Sequence, residues 1–242
     1  TTDEVKKLVD RLENDYAYWT DAKYRAKSVG LTPEQLWAHL KAARERKMIV
    51  AWPSFGIHFA LTSEMQRVCH ETDLKFGGQW GSHFLPDKAT RSNYLVSSIF
   101  EEAIASSQLE GASTTRRDAM RMLSQGETPK DKSRLMIFNN YRTIKFLVEH
   151  KHEELTPELL MHLHALMTEH TLDKPEDAGR MRTNNEVVVE NVMTNEVVHQ
   201  PPHHEKLPDF VEELCRFFND DSPTPFLHPL LRAIIIHFMV AY

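Results

Sequence analysis

Residues 106–111 read Ser106-Ser107-Gln108-Leu109-Glu110-Gly111, and they set a carboxylate at a helix end where helix electrostatics disfavours one. Upstream, Val96, Phe100, Ala103, Ser107 and Glu110 recur at four- and three-residue steps, the spacing that stacks side chains on one helix face. The pattern predicts a helix over about 94–111 whose inward stripe continues to Glu110. Gly111 is expected to end that helix, because a left-handed cap conformation costs glycine nothing. Glu110 then lies beside the negative end of the helix dipole. A cation in a cleft is the expected answer to it, either an arginine or the counter-charges of a bound phosphate. Taken alone, the segment reads first as a partly exposed glutamate at an ordinary helix end, ahead of a cleft carboxylate.

Working outward, the 242 residues hold one large domain or two small ones, and 41% hydrophobic content supplies a core. Net charge is -6, with acidic and basic residues mixed along the chain. That argues against a nucleic-acid surface, which needs a concentrated basic face. Cys69 and Cys215 form no CxxC pair and read as two buried or half-buried thiols of a reducing compartment, with the cytoplasm as the expected location. No secretion signal is visible, and the uninterrupted apolar runs fall far short of the roughly 20 residues a bilayer core needs.

Glycine is scarce, and leucine, alanine, glutamate and lysine fill long periodic segments. The fold class expected is all-α, with about eight helices. Thr32-Pro33-Glu34-Gln35 is a helix start with a capping box, and Thr156-Pro157-Glu158 announces another. Tyr141, Ile144, Phe146, Leu147 and Val148 suggest a well-buried helix, and Leu159, Leu163, Leu166 and Met167 give the apolar face of the next. Residues 1–90 are read as an N-terminal helical module, because Gly77-Gly78 and Pro86 punctuate the chain ahead of the next helix. Trp37, Trp52, Phe55, Phe59 and Trp80 are read as packing residues of that module. Residues 91–242 form the second domain.

One clear β signal is expected. Val187-Val188-Val189, a polar turn from Glu190 to Asn195 and Val197-Val198 predict a hairpin over about 186–199, which Pro201-Pro202 stops. Two strands alone are marginal in water, so the hairpin must pack on helices or use a free edge to hold something.

Fourteen histidines invite a metal reading, above all His162 with His164 and the trio His199, His203, His204. Helical i,i+2 histidines point apart, no HExxH is present and no Cys/His set has zinc spacing, so no metal site is expected. P-loop, dinucleotide-binding and nucleophile-elbow motifs are absent from the 242 residues.

The last residues, His228-Pro229-Leu230-Leu231-Arg232-Ala233-Ile234-Ile235-Ile236-His237-Phe238-Met239-Val240-Ala241-Tyr242, together with Ser-x-x-x-Glu-Gly, resemble the Fic family of nucleotidyltransferases. In that family a His-Pro-x-x-Arg-Ala-x-x-x-His helix runs into a catalytic loop, His-Pro-Phe-x-(Asp/Glu)-Gly-Asn-(Gly/Lys)-Arg. His228, Pro229, Arg232, Ala233 and His237 match the helix, and the loop is not among these residues. Asp177-Ala178-Gly179-Arg180, Arg182 and His199-x-Pro201-Pro202 resemble the surroundings of the family's hairpin flap. A weaker likeness to the N-terminal region of some members lies at Trp52-Pro53-Ser54-Phe55.

The resemblance covers the chain from Tyr94 onward and implies a Fic-type helical bundle with a small β-hairpin flap. It implies protein adenylyltransfer (AMPylation): ATP and Mg²⁺ as cofactors, with AMP passed to a hydroxyl of a protein target or of the protein itself. The flap strand, Val187, Val188, Val189 and Glu190, would cover the nucleotide and lend its edge to the target, and a homodimer is an allowed state. The catalytic base, metal ligand and phosphate cradle would all belong to the signature loop, so no catalytic residue is assigned here. The pre-catalytic helix would supply His228, Arg232 and His237. The position of Ser-x-x-x-Glu-Gly resembles the class restrained by a helix preceding the active site. In that class Ser106, Glu110 and Gly111 would be inhibitory, with Glu110 pairing with the loop's last arginine. Two other readings stay open: a hydrolase removing AMP, or a transferase of another phospho-group, on the same scaffold, and a helical regulatory or binding module without catalysis. Thr1 is not an initiator methionine, and the apolar run reaches Tyr242 without glycine cap, basic last turn or polar tail. Both ends are therefore expected to be cut, leaving a chain that is inactive by itself.

Overall fold

Helix-start chemistry is realised where the sequence places it. Thr32 Oγ1 accepts the Gln35 N–H and the Gln35 side chain accepts the Thr32 N–H, closing the capping box of one helix. Thr156 Oγ1 accepts the Leu159 N–H at the start of another. The computed structural model describes residues 2–52, 55–76, 88–219 and 226–241. Among them the chain is mostly helical, with two small antiparallel strand pairs. No helix of the described residues is long and apolar enough to cross a membrane.

The chain divides into two compact units, Thr1–Lys75 and Phe76–Tyr242, where the sequence reading put the division near residue 90. Gly77, Gly78, Trp80 and Pro86 lie outside the described residues. The first unit holds α1 (Thr2–Asn14), α2 (Trp19–Ala22), α3 (Pro33–Glu45), β1 (Met48–Trp52), β2 (Ile57–Ala60) and α4 (Ser63–Phe76). Leu8, Leu12, Ala22, Leu36 and Leu40 form its core, with Trp37 packed against it. Arg44 is buried beside that core. Its guanidinium donates to the Ala17 carbonyl at 2.6 Å and lies 4.4 Å from the centre of the Tyr16 ring, so a charge taken from water is answered by a carbonyl and a π face. The β1–β2 hairpin corrects the expectation of a purely helical module. Its partners run from Met48 opposite Ala60 to Trp52 opposite Ile57, and the β-branched pair Ile49-Val50 was its available signal.

The second unit runs α5 (Lys88–Leu109), α6 (Arg116–Gln125), α7 (Lys132–Glu149), α8 (Pro157–Thr168), β3 (Val189–Asn191), β4 (Glu196–His199), α9 (Leu207–Phe218) and α10 (Pro229–Ala241). Ile104, Met122 and Ile137, from α5, α6 and α7, are almost fully buried in one cluster. Each such side chain contributes about 1.5–3 kcal/mol. Leu155, Val211 and Cys215 form a second cluster, against the inner face of α8. Cys69 and Cys215 are buried and free, and burial pushes the Cys215 thiol up from its ordinary value.

Two helices are less covered than their composition implies. Leu147 and Val148 at the end of α7 are exposed. In α10, Leu231 and Met239 are buried, but Ile234 is 57% and Phe238 51% exposed. The apolar run therefore covers more of the helix circumference than its described neighbours bury.

Asn219, at the end of α9, ties the start of α8 into this unit. Its Oδ1 accepts the Leu155 N–H and its Nδ2 donates to the Leu155 carbonyl, both at 2.9 Å, as one strand would pair with another. Asn219→Ala is expected to destabilise the second unit by about 2 kcal/mol, because it orphans a half-buried donor and acceptor together. An unchanged midpoint in denaturant would show that water replaces the amide.

Candidate functional site

Three groups of residues were singled out by the sequence, and the structure builds each from its own element. The first is the end of α5. Gly111 has φ +96°, the left-handed conformation expected of it. Its N–H donates to the Gln108 carbonyl at 3.1 Å, and the Ala112 N–H donates back to the Ser107 carbonyl at 2.9 Å. These two bonds make a Schellman turn in which Glu110 is the cap residue. Ala112 then falls into the buried cluster with Ile104. The turn is also pinned from outside: Ser107 Oγ accepts from Asn140 Nδ2 of α7 at 3.2 Å, and Gln108 Nε2 donates to the Thr114 carbonyl at 2.8 Å.

Within that turn the side chains depart from the expected stripe. Ala103 and Ser107 are buried and Phe100 is partly buried, but Val96 and Glu110 are exposed. Glu110 leaves the stripe because it is the cap, one residue past the last helical position Leu109. The Ser106 carbonyl accepts the Glu110 N–H at 3.1 Å. Among the described residues no hydrogen bond joins the two side chains, and no cation answers the Glu110 carboxylate.

The second group is the hairpin. Its strands are shorter than expected, so Val187 and Val188 precede β3 and Glu190 lies within it. Asn195 takes the left-handed conformation at φ +53° and donates to the Asn191 carbonyl at 2.8 Å, which closes the turn. The turn carries Val192 and Met193 at its tip, 91% and 92% exposed. Register shifts between Val189, opposite His199, and Glu190, opposite Val197. Among the described residues no third strand pairs with either of them.

Arg182 holds the root of this hairpin. Its Nη1 donates to the Asn184 carbonyl at 2.7 Å and to Asn185 Oδ1 at 3.1 Å, and its Nη2 donates to the Pro202 carbonyl. One planar fork thus fastens the chain entering the hairpin to the chain leaving it. Just upstream, Gly179 sits at φ +71°, and a Cβ there would stand 2.9 Å from that of Ala165 in α8. Its N–H donates to His164 Nδ1 at 2.8 Å. His162, two residues away, lies edge-on to Phe146 instead, as diverging i,i+2 side chains must.

The third group is α10. His228 Nδ1 accepts the Leu230 N–H at 3.2 Å and so caps the helix start. Arg232 Nη1 donates to the Phe217 carbonyl at 3.2 Å near the end of α9, where a cation also meets the negative helix end. His237 is exposed. Arg232 thus ties the start of α10 to the end of α9.

A cavity of about 570 Å³, which the sequence did not announce, opens between the hairpin root and the helices. Leu160, His164, Arg180, Val187, Leu214 and Met239 are among its walls. It brings the hairpin root and the last turn of α10 together, while Ser106, Glu110, Gly111, His228, Arg232 and His237 do not line it. Its walls are mainly aliphatic, and Arg182 is committed to the hairpin root. Arg180 and His164 are among its few polar groups, and the described residues place no cluster of acidic ligands around Glu110. The contacts to ATP and Mg²⁺ that the resemblance implies fall to the signature loop, which is not among the 242 residues.

Arg182→Ala is expected to release the hairpin root, raising amide exchange of residues 186–199 at least tenfold with little change in the helices. Arg182→Lys should recover only part of the protection, because an ammonium cannot reproduce the fork. Equal exchange in all three proteins would assign the hairpin's order to its own turn.

Comparison with known protein families and with curated proteins gives no match for this chain.

Proposed function

We propose that the chain is the regulatory and target-docking part of a Fic-type protein adenylyltransferase restrained by Glu110. One observation carries the reading. A rigid turn, closed by Gly111 and buried Ala112, presents the Glu110 carboxylate to solvent at the negative end of a 22-residue helix, with no cation to answer it among the described residues. Such a placement costs stability and suits a carboxylate kept for a charge supplied from elsewhere. The arginine that closes the family's signature loop is a charge of that kind. Two further features support the reading. The hairpin is anchored at its root and exposed along its edges, as strand addition by a target backbone requires. The helix carrying His228, Arg232 and His237 follows the hairpin in the order the resemblance expects.

The metal and phosphate contacts of the reaction belong, on this reading, to the signature loop. The work of the residues described here is to position the flap and to hold the glutamate. Its place of action would be the cytoplasm, and its partner a protein presenting a hydroxyl side chain.

The test uses the chain carrying the His-Pro-Phe signature after Tyr242, with labelled ATP and Mg²⁺. Glu110→Gly is expected to raise incorporation of AMP into protein at least tenfold over the wild type. Equal incorporation would remove the restraint assigned to Glu110. No incorporation by either protein, with release of AMP from a modified target, would replace the transferase with a hydrolase.

A further inference from the structure

The loop that leaves the hairpin root turns sharply at His203-His204-Glu205. In an extended strand neighbouring side chains point to opposite faces, but a 3-10 turn over His204–Lys206 gathers these three on one side. Their ligand atoms all lie within 4.8 Å of one another. None of the familiar zinc spacings uses three consecutive residues, and the histidine trio noted in the sequence grouped His203 and His204 with His199 rather than with Glu205.

The details favour metal coordination over mere crowding. His203 Nδ1 stands 3.5 Å from Glu205 Oε2, and the contact it accepts from the Glu205 backbone N–H is long, also 3.5 Å, so a bound ion has only a weak hydrogen bond to displace. Two donors each about 2.0–2.1 Å from a tetrahedral ion are separated by roughly 3.3 Å, so this edge is nearly formed. Asn185 Oδ1 lies 3.2 Å from His204 Nδ1 and accepts from the His204 backbone N–H at 2.8 Å and from Arg182 at 3.1 Å. Two donors identify that amide atom as oxygen, and an oxygen only accepts, so the ring proton of His204 belongs on Nδ1. Nε2 keeps its lone pair. This is the arrangement by which an outer hydrogen bond prepares a histidine to bind a metal. The two imidazole centres are 4.6 Å apart, close enough for one ion to span.

We propose that His203, His204 and Glu205 form a transition-metal site at the root of the hairpin, with Zn²⁺ as its natural ion and water in the fourth position. Two imidazoles and one carboxylate suit Zn²⁺, Co²⁺ or Ni²⁺, whereas Mg²⁺ and Ca²⁺ take oxygen donors. The site is solvent-accessible and the Arg182 charge stands one amide away, so moderate, reversible affinity follows. Through Asn185 the ion would also stiffen the joint that Arg182 clamps. None of this rests on the transferase reading.

The test is a titration of the 242-residue chain with Zn²⁺ by calorimetry and with Co²⁺ by visible absorption. One saturable site with cobalt ligand-field bands is expected. His203→Ala and His204→Ala should each weaken it at least tenfold, and Asn185→Ala should weaken it tenfold or more without removing a ligand. His152→Ala, an exposed histidine elsewhere, should leave it unchanged. These side chains are exposed or half-buried, and circular dichroism checks that each variant folds. Absence of a saturable site, or its survival in the His203→Ala/His204→Ala double variant, would overturn the proposal.

Discussion

The turn that ends α5 is the constraint on which the rest depends. Gly111 occupies a backbone conformation strained for any residue with a side chain, and Ala112, immediately after it, is committed to the core. Between that strain and that burial the chain has little freedom, so the direction in which Glu110 leaves the helix is set by backbone chemistry. Bonds from α7 to Ser107 and from Gln108 to the returning loop add to the rigidity. A carboxylate carried on so fixed a backbone, against the helix dipole and without a partner among the described residues, is the strongest functional signal of the chain.

A second joint works by the same logic at the hairpin. A two-stranded ribbon cannot stabilise itself, and here its tip is almost wholly in solvent. Order is supplied from below, by a guanidinium fork that spans entry and exit and by a glycine that lets the approaching chain lie against α8. The hairpin is thus anchored where it meets the helices and open where a partner would pair. Asn185 is common to this clamp and to the histidine cluster beside it, so an ion bound there would act on the same joint.

How much of this was legible beforehand follows from what each feature depends on. Caps are local chemistry, and Thr32, Thr156 and Gly111 were readable from a few residues each. The hairpin at Val187–Val198 is visible in its valines and polar turn, whereas the short apolar run of β1–β2 sits inside a helical module and carries no turn signal strong enough to set it apart. The inward stripe ending at Glu110 failed for a specific reason: periodicity was carried one residue past the point where Gly111 unwinds the helix. Exposure of Ile234 and Phe238 was not legible either, since composition says that a helix is apolar but not how many neighbours cover it. Nor were the cavity, the Arg182 fork or the gathering of His203, His204 and Glu205, all of which depend on residues brought together by the turns of the loop. Arg232, picked out by the motif alone, donates in the fold to a carbonyl near the end of α9, a contact that depends on where α9 and α10 meet.

On the proposed reading the Glu110 carboxylate is a liability alone and an asset once an arginine meets it, and replacing its charge tests this most directly. Glu110→Gln should be made both in the 242-residue chain and in the chain that, on that reading, carries the His-Pro-Phe signature, and thermal stability measured for each pair. In the shorter chain the substitution is expected to stabilise by about 0.3–1 kcal/mol, as a negative charge leaves the helix end. In the longer one it is expected to destabilise by about 1.5–3 kcal/mol, as a charge-assisted hydrogen bond is lost. The same sign in both chains would contradict the account, because it would mean that no guanidinium comes to meet Glu110.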